Sequence, residues 1–213
     1  MKHGLVLKKV FGVSFGMLLA GCAMACIYYS GLGSDPITTL IDGITHSLNV
    51  GEGLATTIVN IIFFLFMVIF NRSSLGGATI ISILTLGIFM DGSLLIINYL
   101  FPSEMPLIGI VFLSIIGSSL LGFAIGYYLS FDFGATPPDS VPLWIWKKFE
   151  IRYQYCVWIF YSICLLFGVM LGGRFGIGTV ISLVIVGPIA DLTMKMRTRK
   201  PLWGESSIIQ NNN

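Results

Sequence analysis

Residues 76–91 read GGATIISILTLGIFMD, and residues 176–191 read GIGTVISLVIVGPIAD. At an offset of 100, Gly76, Thr79, Ile81, Ser82, Gly87 and Asp91 fall on Gly176, Thr179, Ile181, Ser182, Gly187 and Asp191, and Ala78 falls on Gly178. Self-similarity at a fixed offset marks a duplicated structural unit. An offset of 101 extends the match upstream, where Gly33-Ser34-Asp35-Pro36 faces Gly134-Ala135-Thr136-Pro137; Tyr28-Tyr29 and Tyr127-Tyr128 also occupy similar places near the ends of their spans. The repeat relates residues 11–91 to residues 110–191.

Both copies are too apolar for water. Of the 213 residues, 55% are hydrophobic and 10% charged, whereas a soluble domain carries about a quarter charged residues. An ordinary soluble domain is excluded, as is a disordered chain. The net charge of +2 with no basic face excludes a nucleic-acid binder. The expectation is one membrane domain over 1–213, with repeat 1 at 10–101, repeat 2 at 106–195 and a polar cytoplasmic tail at 196–213.

A helix needs about 20 apolar residues to cross a bilayer. Six stretches reach or approach this: 10–29, 54–70, 78–100, 107–131, 155–172 and 178–194. They are solid apolar runs, not the alternating segments of a barrel. With the N-terminus in the cytoplasm, 11 Lys and Arg residues fall inside and only Arg174 outside, as the positive-inside rule requires. Each repeat then holds three spans, an odd number, so the second enters the membrane inverted. The expected fold is an all-α polytopic membrane protein, six transmembrane helices in two three-helix inverted-topology repeats. This architecture recurs in secondary transporters.

Two linkers, 30–51 and 132–153, occupy matching places and open on Gly and Pro: GLGSDPITT at 31–39 and FGATPPDSVP at 133–142. Ser34 or Asp35 can cap a helix with Pro36 at its first position, and Thr136-Pro137 repeats the arrangement. Each repeat thus gains an interrupted or amphipathic helix after its first span. An apolar stripe of Ile37, Leu40, Ile41, Ile44 and Leu48 predicts the buried face of the first, and Val141, Trp144, Ile145 and Phe149 that of the second. The segments 34–49 and 136–150 either lie on the membrane surface or re-enter it. In the re-entrant case Asp35, Thr38, Thr39, Thr136, Asp139 and Ser140 line a substrate site.

Asp91 and Asp191 are carboxylates within spans, where a charge costs several kcal/mol unless paired or hydrated. Asp91 is therefore expected to face the bundle interior, where it either couples an ion or proton or ties helices together. Asp191, its counterpart, is the second candidate for ion or proton coupling, and Lys195 lies four residues on, a spacing that allows an ion pair. Asn60 is expected to hydrogen-bond between helices. Cys22, Cys26, Cys156 and Cys164 lie in apolar runs with no metal-ligand or disulfide pattern. Leu19-Ala20-Gly21-Cys22 resembles a lipoprotein cleavage site, but the following residues stay apolar, so an uncleaved span is expected. Gly12-Val-Ser-Phe-Gly16 fits G-x-S-x-G only inside an apolar helix, and Gly172–Gly178 lacks the Lys-Ser/Thr of a P-loop. No enzyme, cofactor or metal is expected.

At these repeated motifs the chain resembles the YczE/YyaS/YitT group of bacterial integral membrane proteins, and its YczE-like branch most. The resemblance rests on Gly31-Leu-Gly-Ser-Asp-Pro36, Gly176-Ile-Gly-Thr179 and Asp191. The short tail lacks the soluble C-terminal domain of YitT-type relatives. The resemblance implies a multi-pass plasma-membrane protein but supplies no substrate and no site residues. The sequence reading is a secondary transporter or permease of a small solute. The alternatives are a non-transporting scaffold and a membrane subunit of a larger transporter, and either a homodimer or a partner complex is left open.

Overall fold

In a computed structural model, residues 2–101 and 105–198 are described; the tail expected at 196–213 lies outside them from residue 199 on. The described residues form eight α-helices: α1 (Lys2–Ser30), α2 (Pro36–Leu48), α3 (Glu52–Phe70), α4 (Gly77–Leu100), α5 (Leu107–Leu129), α6 (Ser140–Phe149), α7 (Tyr153–Met170) and α8 (Ile177–Thr198). A single 3-10 turn, Arg72–Ser74, joins α3 to α4. Six helices (α1, α3, α4, α5, α7 and α8) are long and apolar enough to cross a membrane. They match the six stretches expected, and α2 and α6 are the two short helices between spans.

At the centre α1 packs against α4 and α5, and α5 packs against α8. Lipid is as apolar as leucine, so membrane helices gain little by hiding leucine; they associate through small residues that bring backbones close. Gly21 lies against the backbone of Phe89 and Met90, Gly117 against the Ala23 carbonyl, and Gly122 and Gly126 against the carbonyls of Val186 and Ala190. The Ser118 and Ser182 hydroxyls meet at 2.8 Å, and Cys22, midway along α1, has its Sγ 3.1 Å from Ser93 Oγ.

The short helices pack into the bundle, α2 on α3 and α7, α6 on the same pair. The expected stripes hold in part: Ile44 is buried and Ile37, Leu40, Ile41 and Val141 pack partly buried against the core, while Leu48 and Phe149 are exposed. On α2 the buried residues are Pro36, Thr39, Gly43 and Ile44. On α6 they are Ser140, Pro142 and Leu143. Lipid solvates an apolar side chain as well as the core does, so the deepest positions go to residues small enough for close packing. Gly43 meets Gly168 of α7 backbone to backbone, and Gly173 lies against the Thr39 carbonyl.

Hydrogen bonds join the halves reciprocally. Ala78 N donates to Phe133 O and Gly178 N donates to Leu32 O, both at 2.9 Å. Within each half, Gly76 N donates to Thr79 Oγ1 and Gly176 N to Thr179 Oγ1, both at 3.2 Å, and Thr79 Oγ1 donates across to Ala135 O at 2.8 Å. Each linker is thus tied to the start of the other half's last helix. One difference breaks the match: α7 packs along α8, but no comparable packing joins α3 to α4.

Candidate functional site

Two carboxylates are buried at the starts of the short helices: Asp35 is 5% exposed and Asp139 8%. Asp35 caps α2. Its Oδ2 accepts from Ile37 N at 3.1 Å and Thr38 N at 3.4 Å, and its Oδ1 accepts from Thr38 Oγ1 at 2.6 Å. In the other half the two residue types exchange places. Thr136 Oγ1 accepts from Asp139 N at 3.2 Å and donates to Asp139 Oδ2 at 2.7 Å. The sequence therefore carries Asp-x-x-Thr in one half and Thr-x-x-Asp in the other at one register, and each pair closes its helix start like a capping box. The glycines before them, Gly33 at φ +113° and Gly134 at φ +105°, turn the chain into the bundle.

Three tyrosines that sequence reasoning passed over surround the acids. Tyr128 Oη donates to Asp139 Oδ2 at 2.5 Å and accepts from Thr136 N at 3.4 Å. The Tyr153 hydroxyl is buried with no hydrogen-bond partner and lies within electrostatic range of Asp139. Tyr161, midway along α7, is within range of both acids, and Cys164, one turn on, is within range of Asp35. No Lys or Arg among the described residues is buried beside them. Burial pushes the Asp35 carboxyl above its ordinary range, opposed by the hydrogen bonds of Thr38 and Ile37. Asp139 is raised by burial first; Tyr128 and Thr136 oppose this, and the nearby Asp35 adds to it.

Of the residues expected to line a site, Asp35 pairs with Thr38 and Asp139 with Thr136, and the two acids are within electrostatic range of each other. Thr39 and Ser140 adjoin them, but their hydroxyls bond the carbonyls of Asp35 and Pro137. Asp91 stands apart, on an exposed face of α4 and not in the interior. Asn60 is exposed on α3. Asp191 is buried at the α7–α8 contact. Lys195 Nζ is 2.7 Å from its Oδ2, as the spacing suggested, and Arg152 Nη2 is 3.5 Å away. Arg174 binds Asp42 through its backbone N–H at 2.7 Å. No group of three or more His, Cys, Asp or Glu among the described residues can hold a metal ion.

Residues 7–195 match the profile of DUF6198, a family of unknown function. The chain belongs to the DUF6198 family. Within curated proteins, this DUF6198 chain is 27% identical to an uncharacterized protein of Haemophilus influenzae, over 91% of its length and 87% of the relative's. It is 25% identical to the uncharacterized membrane protein YczE of Bacillus subtilis, covering 91% of this chain and 88% of that one. It is 22% identical to the uncharacterized protein YyaS of the same organism, over 90% and 94%. The expected relationship to YczE and YyaS is thereby shown. No solved structure matches the DUF6198 chain.

Proposed function

We propose that this chain is a secondary transporter of a small solute, built from two inverted-topology repeats with its site at their junction. The basic end, where Lys9 binds the Asp132 carbonyl and Lys147 the hydroxyls of Ser73 and Ser74, faces the cytoplasm. The observation that carries the reading is the buried pair Asp35 and Asp139. Two uncompensated carboxylates in a membrane bundle cost several kcal/mol, and a fold bears that cost where the acids bind something. Interrupted helices at matching places in two halves are the usual site of secondary transporters. The raised carboxyls give the site a proton to exchange for a solute, and on this reading they, with no direct part for Asp91 or Asp191, carry the coupling.

The test is current in proteoliposomes on a solid-supported membrane, evoked by a library of small amines, acids and neutral solutes under a pH gradient. The expected result is current from one solute class, abolished by Asp139→Asn. Silence across the library, with stable co-purifying membrane partners, would overturn transport in favour of a scaffold.

A further inference from the structure

Between α2, α3, α6 and α7 lies a cavity of about 330 Å³, lined by side chains that include Leu40, Phe63, Val141, Ile145, Phe160 and Cys164. All are apolar or, like Cys164, weakly polar. At the ~30 Å³ that a water occupies in the liquid, the cavity holds roughly ten non-hydrogen atoms. The cavity exists because two helix pairs pack differently. α2 meets α7 through Gly43, Gly168 and Gly173. At the place in α6 that corresponds to Gly43 stands Trp144, which stacks on Phe66 and Phe70 with ring centroids 5.5 and 6.0 Å away. The indole props α6 and α3 apart where glycines let α2 and α7 touch.

The short helices join this cavity to the acids: Val141 in its wall is two residues from Asp139 and Leu40 is five from Asp35, on the helices those acids begin. Cys164 lines the cavity and lies within electrostatic range of Asp35. Tyr161, one turn before it, is within range of both Asp35 and Asp139. Phe160 in the cavity wall is its chain neighbour, with ring centroids 5.9 Å apart. The charge at the acid end can be counted. Once their protons are exchanged, the two carboxylates contribute two negative charges, and the N-termini of α2 and α6 return about half a positive charge each. About one negative charge is left, with no buried Lys or Arg among the described residues to meet it. Two acceptors stand open: no described donor reaches Asp139 Oδ1, and the Tyr153 hydroxyl is buried without a partner.

We propose that the cavity and the carboxylate pair form one binding site for an amphiphilic organic cation. Its apolar body lies among Phe63, Phe160 and Cys164, and its ammonium points to Asp139 Oδ1, Asp35 and the Tyr153 hydroxyl. The inference rests on the transport reading of this site and names its substrate class. A bare inorganic cation would leave the apolar cavity unused. A neutral amphiphile or a lipid tail would leave the charge unmet.

Three probes sharing a ten-carbon phenylbutyl body separate these cases: 4-phenylbutylammonium, 4-phenylbutan-1-ol and 4-phenylbutyrate. Each is titrated calorimetrically into the full chain in nanodiscs. The ammonium should bind at least about tenfold more tightly than the alcohol, and the carboxylate not at all. Asp139→Asn and Asp35→Asn should each abolish that preference, and Tyr153→Phe, which keeps the ring, should reduce it. Cys164→Phe and, from the opposite wall, Val141→Phe should weaken both the ammonium and the alcohol by filling the cavity. Equal affinity for ammonium and alcohol would mark a groove for lipid tails and overturn the proposal. So would a preference unchanged in both Asn variants, or no binding of the ammonium at millimolar concentration. Selectivity for the carboxylate, lost in the Asn variants, would overturn the cation and leave transport standing. Intact ammonium binding without solute-evoked current would uphold the site and overturn transport.

Discussion

Asp139 Oδ2 takes two hydroxyl hydrogen bonds, from Tyr128 and Thr136, and still the carboxyl is raised. Desolvation outweighs the hydrogen bonds that favour the charged form, so the folded chain holds a proton that the unfolded chain releases. The sign of the pH dependence follows. Where the folded state binds more protons, stability falls as pH rises. The loss therefore begins above the ordinary carboxyl value of 3.8 and continues up through the raised one. Each unit of elevation is worth about 1.4 kcal/mol. The titratable groups facing Asp139 are Tyr128 from α5, Tyr153 and Tyr161 from α7, and Asp35 at the start of α2. All are acids, so none supplies a compensating positive charge. Thermal midpoints in nanodiscs should fall as pH is raised above about 4 in the wild type, and Asp139→Asn should flatten the slope; an unchanged slope would show that this carboxyl is ionised throughout. The two acids were legible in the sequence because they sit beside Gly and Pro in matching linkers. The tyrosines were not, because within an apolar span nothing in the spacing separates a tyrosine facing an acid from one facing lipid.

At the scale of the element, the turns into α2 and α6 decide whether the acids reach the interior. Gly33 and Gly134 have positive φ, and both are crowded: an added Cβ would lie 2.7 Å from Gly176 N at the first and 2.8 Å from Gly76 N at the second. An L side chain there meets backbone strain of about 1–3 kcal/mol and pushes on a neighbouring backbone that cannot rotate away. Gly33→Ala and Gly134→Ala should each lower stability by more than that strain alone, whereas Gly31→Ala, with positive φ and open space around its Cβ, should cost only the strain. Equal losses at Gly31 and Gly33, measured as thermal midpoints, would mean that the cross-half contact adds nothing. The sequence marked these turns, and all six spans, because length and Gly-Pro punctuation survive in any solvent. It missed Thr39 and Gly43 on the inward side of α2 because the reading treated apolar as buried, a rule that holds in water. In a bilayer Thr39 and Gly43 go inward on account of their size.

Across the whole molecule, residues that correspond in the sequence repeat differ in packing around α3 and α4. Gly187 of α8 packs against α7, where an added Cβ would lie 3.0 Å from Gln154 O, while Gly87, its counterpart on α4, has nothing within 4 Å. Asp191 is buried and paired at that contact, while its counterpart Asp91 is exposed, as is Asn60 on α3. Both exposed polar groups lie within spans, where lipid contact is costly. α3 packs on α2 and α6, and rings join it to α6 and α7, Phe63 meeting Phe160, and Phe66 and Phe70 meeting Trp144. Such contacts can be remade at a shifted register. A transporter needs a second state, and a swing of α3 toward α4 would shelter Asn60 and Asp91 and make the first half resemble the second. Spin labels at Leu65 of α3 and Leu84 of α4, both exposed, can read that swing in a background with the four cysteines replaced. Electron–electron resonance in nanodiscs should give two distances whose proportions change between pH 5 and pH 8 and on adding 4-phenylbutylammonium. A single distance, unmoved by either, would show that α3 is fixed and would favour a scaffold whose partner covers the α4 face.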